Sequence, residues 1–287
     1  MSAPADGLAR DMAGRVCVVT GASGGIGKAA AVGLARRGAT VALVVRSRER
    51  GEAARHEVVR ATPGADVRLV LADLSRQADV RRAADEVTAA FGAVHVLLNN
   101  AGVYTRRRQE TVDGMEMQWA VNHLAPFLLT RLLLPALTAS APARVVTMSS
   151  NAHRAAHLRW DDLQMKRGRY RGLRQYCNTK LANVLFTREL ARRTVGTGVT
   201  ANATHPGVVA TELLLGGFPP LRLLSRFMRT PEQGAATAVY LAADPAAAAV
   251  TGEYFVDSRS VQLAAPAADD EAARCLWELS EAMVALV

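Results

Sequence analysis

The chain has 287 residues, 50% apolar and 21% charged, which suits one large α/β domain with a sizeable core. Its three cysteines, Cys17, Cys177 and Cys275, are scattered without a C-x-x-C, which excludes a disulfide framework and fits a reducing compartment. The formal charge is +9, yet the basic residues are spread through amphipathic segments with no zinc spacing, RNP-like run or basic tail; the pattern implies a general arginine bias plus a local anionic ligand, and no nucleic-acid partner.

Residues 1–14 form a polar tail without the apolar run of a signal peptide, so a cytoplasmic location is expected. From Arg15 onward, short β-branched runs alternate with longer Ala/Leu/Arg segments. The runs 16–20, 40–45, 67–72, 94–99, 144–149, 199–204 and 253–256 read as strands; 25–37, 48–60, 76–91, 114–137 and 174–194 read as helices. This alternation predicts right-handed crossovers and a single doubly wound, seven-stranded parallel sheet with helices on both faces. Aromatic residues make up only 5% of the chain, so the core must be built from Ala, Val and Leu. The most apolar run, 124–137, is interrupted by Arg131 and two prolines and is too short to span a bilayer. Two segments, 151–173 and 212–230, break the rhythm and are candidates to shape a pocket at the carboxyl ends of the strands.

The first strand runs into TGASGGIG (20–27) and then a helical stretch. A glycine-rich turn before a helix N-terminus lets backbone N–H groups approach a pyrophosphate, favoured by the helix dipole. Gly21 takes the tight turn, Gly25 and Gly27 permit close approach, and Ser23, Gly24 and Ile26 complete the expected contact surface. The second strand ends on Val45 and is followed by Arg46, where a carboxylate would select NAD; an arginine there suits a 2′-phosphate and predicts NADP(H). After the third strand, Asp73 and Leu74 fall where an adenine would lie, although Asp73 equally suits an N-cap for a helix beginning near Ser75. The fourth strand ends in LLNNAG (97–102), where Asn99, Ala101 and Gly102 leave room for a ribose.

Taken in order, T-G-x-x-x-G-I-G, D-L, N-N-A-G, Ser150, Tyr176-x-x-x-Lys180 and H-P-G-V-V-A-T resemble the short-chain dehydrogenase/reductase family, from about Arg15 to the end of the chain. The segments AVNHLAPFLLT, KLANVLFTRELARR and GTGVTANATHPGVVATEL are similar to its retinol-dehydrogenase-like branch. The resemblance implies a Rossmann fold and hydride transfer between NADP(H) and an alcohol, ketone or aldehyde on an apolar or ring-bearing small molecule. It implies that Tyr176 exchanges the proton, Lys180 holds the nicotinamide ribose, Ser150 (with Ser149 as back-up) steadies the substrate oxygen, and Asn122 helps to hold a water relay. It also implies that Pro206, Gly207, Val209 and Thr211 hold the nicotinamide carboxamide, and that the chain forms a homodimer or homotetramer. Thr179 departs from the usual Ser or Ala before the lysine. A free tyrosine titrates at about 10, and a nearby ammonium is expected to lower that value.

The segment 212–230 reads as a mobile apolar lid in which Leu213, Leu214, Phe218, Leu221, Leu224 and Phe227 line the pocket; a membrane-contact or dimer surface is its competing use. Arg106, Arg107 and Arg108 fall near the pocket mouth, either as a solvated loop or as an attractor for an anionic substrate. His153 and His157 lack a third ligand, so no metal is expected, and no integral membrane segment is carried over from the branch. Two alternatives stand beside the alcohol/carbonyl reading: a C=C reductase on the same scaffold, and a non-catalytic NADP(H)-binding scaffold or sensor.

Overall fold

The computed structural model describes residues 11–210 and 228–285. One sheet organises them, in the order β3-β2-β1-β4-β5-β6-β7-β8. The strands are β1 (Val16–Thr20), β2 (Thr40–Val45), β3 (Val67–Leu71), β4 (Val96–Asn99), β5 (Ala143–Met148), β6 (Val199–His205), β7 (Tyr254–Val256) and β8 (Arg259–Ser260). The first seven pair in parallel, as expected. The eighth corrects the expected count: it is a two-residue antiparallel arm folded back on β7. Asp257 and Ser258, with φ of 50° and 59°, make the turn, the left-handed pair that a tight hairpin needs.

The helices are α1 (Gly25–Arg36), α2 (Arg48–Ala61), α3 (Gln77–Phe91), α4 (Met117–Ala139), α5 (Gly172–Arg193), α6 (Pro231–Ala243), α7 (Ala265–Ala268) and α8 (Asp270–Met283). One buried cluster lies between the sheet and α1 and α6, and a larger one between the sheet and α3, α4, α5 and α8. The order of folding along the chain reverses between β1 and β4, so a crevice opens beyond Thr20 and Asn99, where a parallel sheet places its ligand. Ordered packing begins before Arg15: Met12 is buried in the α1 side of the core, and its N–H donates to the Arg37 carbonyl at 3.0 Å.

Helix α4 carries a π turn at Ala120–Leu124. Pro126 has no N–H to give the Asn122 carbonyl four residues earlier, which removes one α-type bond where the π turn lies. α4 is long and apolar enough to cross a membrane by composition, but 72% of its apolar window is buried inside the fold, as in a core helix.

The scarce aromatics are concentrated rather than absent. Trp277 of α8 packs edge-on against Phe127 at 4.9 Å and stacks on Phe186 at 6.0 Å, while Arg131 and Arg193 lie over its ring at 5.2 and 4.5 Å. α8 thereby covers the flank formed by α4 and α5. Asp269 caps it by accepting from Glu271 N and Ala272 N, both at 2.9 Å.

Candidate active site

The glycine turn and the N-N-A-G turn are built as one unit. Thr20 Oγ1 accepts from Asn100 N (2.9 Å) and Ala101 N (3.0 Å), and Asn100 Nδ2 donates back to the Thr20 carbonyl at 2.8 Å. The turns approach so closely that a Cβ on Gly21 (φ +66°) would lie 2.8 Å from Ala101 Cα, and one on Gly27 only 2.5 Å from Asn100 Nδ2. Gly24 stands at the N-cap of α1 with no side-chain cap, and no acid occupies the first helical turn. The leading N–H groups of α1 are thus left for an anion. Ile26 turns the other way: a Cβ on Gly234 of α6 would lie 3.2 Å from it and 2.6 Å from Val209.

Arg46 is exposed just beyond β2. Ser47 caps α2 by accepting from Arg50 N at 3.3 Å. The Arg50 guanidinium reaches back towards the glycine turn, 3.8 Å from where a Cβ on Gly24 would be. Asp73 is not an N-cap: α3 starts at Gln77, and Asp73 instead closes a local turn, accepting from Ser75 N (3.0 Å) and Ser75 Oγ (2.8 Å). The cap is supplied from a distance by Asp113, which accepts from Gln77 N at 2.8 Å. Leu74 is partly buried against the α3 side of the core. Asn99 uses its amide within the fold, donating to Thr130 Oγ1 at 2.9 Å.

Across the crevice, β5, the π turn of α4 and the first turns of α5 bring the proposed catalytic residues together. Ser150 lies by Tyr176, its side chain acting to lower the pKa of the phenol. Lys180 Nζ lies 5.4 Å from the Tyr176 ring centre and donates to the Met148 carbonyl at 3.2 Å. The two serines are sorted by geometry. Ser149 Oγ donates to the Lys180 carbonyl at 2.7 Å and serves to tie β5 to α5, whereas Ser150 faces the tyrosine. Asn122 is fully buried; it accepts from Val103 N (2.7 Å) and donates to the Val103 carbonyl (3.0 Å) and Thr179 Oγ1 (3.1 Å). Its side chain therefore braces the segment after N-N-A-G against α5, and Thr179, the family departure, is its partner there.

Burial reverses the expected direction of the tyrosine. The Tyr176 phenol is pushed up to about 12 by burial, with the neighbouring Cys177 thiol adding to the rise and Ser150 opposing it. Burial also drives Lys180 down, to about 8. The expectation of a lowered phenol is thus corrected: burial, which penalises the phenolate, acts most strongly on Tyr176, and Lys180 is not among the groups that shift it. Around neutral pH the pair stands as a protonated phenol above a largely protonated amine, a state suited to giving a proton.

A family model described as short chain dehydrogenase matches residues 15–216. The chain belongs to the short-chain dehydrogenase family. Bovine retinol dehydrogenase 12 is 43% identical to this short-chain dehydrogenase over 270 residues, 93% of this chain and 85% of the relative. A solved Mycobacterium paratuberculosis structure matches with a TM-score of 0.80 and 36% identity, covering 97% of this chain and 96% of that one. The L-sorbose reductase of Gluconobacter frateurii, solved with NADPH and L-sorbose, matches with a TM-score of 0.69 and 25% identity over 85% and 96% of the two chains.

In this dehydrogenase Pro206 and Gly207 (φ +82°) turn the chain after β6, and Val209 pairs with Arg229 as a short parallel bridge. Thr211 lies outside the described residues, as do the proposed lid residues Leu213, Leu214, Phe218, Leu221, Leu224 and Phe227. His153 is not on the surface: its Nδ1 lies 2.8 Å from the Ser150 carbonyl and its ring packs edge-on to Tyr254 at 4.7 Å. His157 is exposed. Arg108 is committed to Glu110 (2.7 Å), while Arg106 and Arg107 are exposed. A groove of about 790 Å³ between α1, α2 and α6 contains none of the proposed catalytic residues.

Three residues that organise the site escaped the sequence reading. Asn100 offered a signal, since an asparagine doublet between strand and glycine is unusual for an open turn. Asn183 lies three residues past Lys180 and donates to the same Met148 carbonyl, at 3.1 Å. Glu116 is a fully buried carboxylate at the start of α4 that accepts from Gln118 N, Trp119 N, Tyr170 Oη and Gln175 Nε2 at 2.8–3.0 Å. It fastens the 151–171 segment and the first turn of α5 to α4, so it fixes the residue next to Tyr176.

Proposed function

We propose that this dehydrogenase interconverts an alcohol and a ketone or aldehyde on an apolar or ring-bearing small molecule, using NADP(H). The observation that carries the proposal is the buried Lys180, its Nζ 5.4 Å from the centre of the Tyr176 ring, with Ser150 acting on the same tyrosine. The residues fit a dinucleotide: the glycine turn bars a Cβ at Gly21 and Gly27, and α1 presents an uncapped N-terminus. Arg46 and the nearby Arg50 support a 2′-phosphate and hence NADP(H) over NAD(H). Retinol as the named substrate of the bovine relative supports an apolar class.

When bound, the nicotinamide supplies or accepts the hydride. The chain's own part is orientation and proton transfer. In reduction, Ser150 and Tyr176 both hydrogen-bond the substrate oxygen, and the Tyr176 Oη–H gives it a proton as charge develops there. Lys180 then stabilises the resulting phenolate and holds the ribose hydroxyls. Pro206, Gly207, Val209 and Thr211 position the carboxamide, and Asn122 keeps the segment after N-N-A-G at its proper distance.

The test is NADPH absorbance with a panel of aldehydes and ketones, with Tyr176→Phe beside the wild type. Turnover that survives unchanged in Tyr176→Phe would refute the proton donor. Preference for NADH over NADPH by the wild type, or an unaltered ratio in Arg46→Ala, would refute the cofactor assignment. Product analysis separates C=O from C=C reduction. We also propose a cytoplasmic location, supported by the sparse unpaired cysteines, and a homodimer or homotetramer, which light scattering tests.

A further inference from the structure

Basic residues occur throughout the sequence, but most of the net charge sits in two separate stretches that the fold joins. Residues 103–110 and 151–174 together hold ten Lys and Arg against three acids, a net +7 out of +9 for the whole chain. The structure sets these two segments side by side. The start of α5 lies so close to the first that a Cβ on Gly172 would be 2.1 Å from the Thr105 carbonyl and 3.2 Å from Arg106 Cα. Tyr170 Oη meets Thr105 Oγ1 at 3.1 Å, and Arg108 Nε donates to the Gln164 carbonyl at 3.4 Å. The seam borders the active site, since the Tyr104 ring stands edge-on to Tyr176 at 6.2 Å.

Along this seam Arg106, Arg107, Lys166, Arg169 and Arg171 are exposed, with Arg174 partly so. Among the described residues none of these six is placed in an ion pair; the local acids are taken by Arg108, Arg159 and Arg167. Interspersed with them are two large apolar side chains, Leu173 at 54% exposure and Trp160 at 41%.

We propose that this basic collar docks the protein on an anionic lipid surface, with the mouth of the catalytic crevice facing the bilayer. The chemistry selects that occupant over a discrete anion or an acidic protein. The charges are long, solvated and spread along two segments, with no buried donor converging on one point. A plane of many phosphates satisfies such an array, with each cation contributing additively near the surface. Trp160 and Leu173 match the second half of that chemistry, an aromatic and an aliphatic side chain standing among cations at the headgroup level. Docking of this kind is peripheral and reversible, and it would let an apolar substrate pass from the bilayer to the crevice without crossing water. The surface is independent of the reaction proposed above, and so is its test.

The full chain is mixed with vesicles of phosphatidylcholine alone, or of equal parts phosphatidylcholine and phosphatidylglycerol, and co-flotation is measured. Binding is expected to the mixed vesicles only, and to fall steeply with added salt. Replacing Arg106, Arg107, Arg169 and Arg171 by Gln should lower the partition by at least about a hundredfold. Replacing Arg36, Arg60, Arg259 and Arg274 by Gln, a matched loss of charge elsewhere, should change it far less. Melting temperatures establish that both variants are folded. The protein has three tryptophans, of which Trp119 and Trp277 are buried, so a blue shift of emission on vesicle binding should come from Trp160 and vanish in Trp160→Phe. The proposal is overturned by absence of co-flotation, by equal losses in the two quadruple variants, or by equal binding to both vesicle types. Binding to polyglutamate or duplex DNA without vesicle binding would assign the collar to an acidic macromolecule and overturn it as well.

Discussion

Lys180 and Asn183 share one acceptor. The Met148 carbonyl, at the last residue of β5, takes the lysine ammonium at 3.2 Å and the asparagine amide at 3.1 Å. The lysine's height above the sheet is thus set by a group that a neighbouring side chain also holds. Asn183→Ala should cost about 1–2 kcal/mol of stability for a lost buried hydrogen bond. It should also weaken NADPH binding, because the carbonyl is freed to move. Urea unfolding and NADPH fluorescence titration check the two effects separately.

Lys180 makes the protein less stable near neutrality than it would be with an apolar residue there. Its ammonium is pushed down to about 8 by burial, against about 10.4 in an unfolded chain. Between these values the unfolded state binds more protons than the folded one, so unfolding free energy rises with pH across about 8 to 10. Below that window the full cost of the buried charge is present. Lys180→Met should therefore be more stable at pH 7 by about 1–3 kcal/mol, lose that rise with pH, and lose turnover. Urea denaturation over a pH series reads the first two, and an NADPH assay the third.

The two kinds of glycine in the phosphate turn should part company under substitution. Gly27→Ala drives a methyl to 2.5 Å from Asn100 Nδ2 and from the Gly21 carbonyl, so it should separate the two turns and abolish NADPH binding. At Gly24 the nearest atom a methyl would meet is on the Arg50 guanidinium, 3.8 Å away, and the backbone is extended. Gly24→Ala should fold normally, with a melting temperature within a few degrees of the wild type, about 0.5 kcal/mol or less.

Trp277 is the largest side chain that α8 gives to the core. Trp277→Ala should cost about 3–5 kcal/mol, read from the shift in the urea midpoint. Trp277→Phe should recover most of that loss, because Phe127 and Phe186 still receive a ring while the two arginines lose the stronger cation–π partner.

Much of this architecture was legible because it rests on local pattern. Each of the seven parallel strands begins and ends within two residues of the run that marks it, and β1, β2 and β4, the most deeply covered, are almost wholly apolar. Tyr176 and Lys180, one turn apart on α5, were readable for a similar reason. What the pattern concealed depends on distant partners. Asp113 caps α3 across 36 residues, and Glu116 collects donors from the 170s. The direction of the Tyr176 shift was hidden too, because spacing reveals a neighbouring ammonium but not how deeply both groups are buried. Arg106 and Arg107 leave two readings open in the sequence, a solvated loop or an attractor for an anion, because spacing does not show that residues 170–172 lie beside them.

The position of α8 has a consequence for how the protein is made. Its Trp277 seals a surface contributed by residues 119–186, yet it is translated some ninety residues after the last of them. Until α8 has left the ribosome, Phe127 and Phe186 lack their Trp277 partner. Nascent chains halted shortly before residue 270 should therefore be bound by chaperones that recognise aromatic surface, and chains that include α8 should escape them.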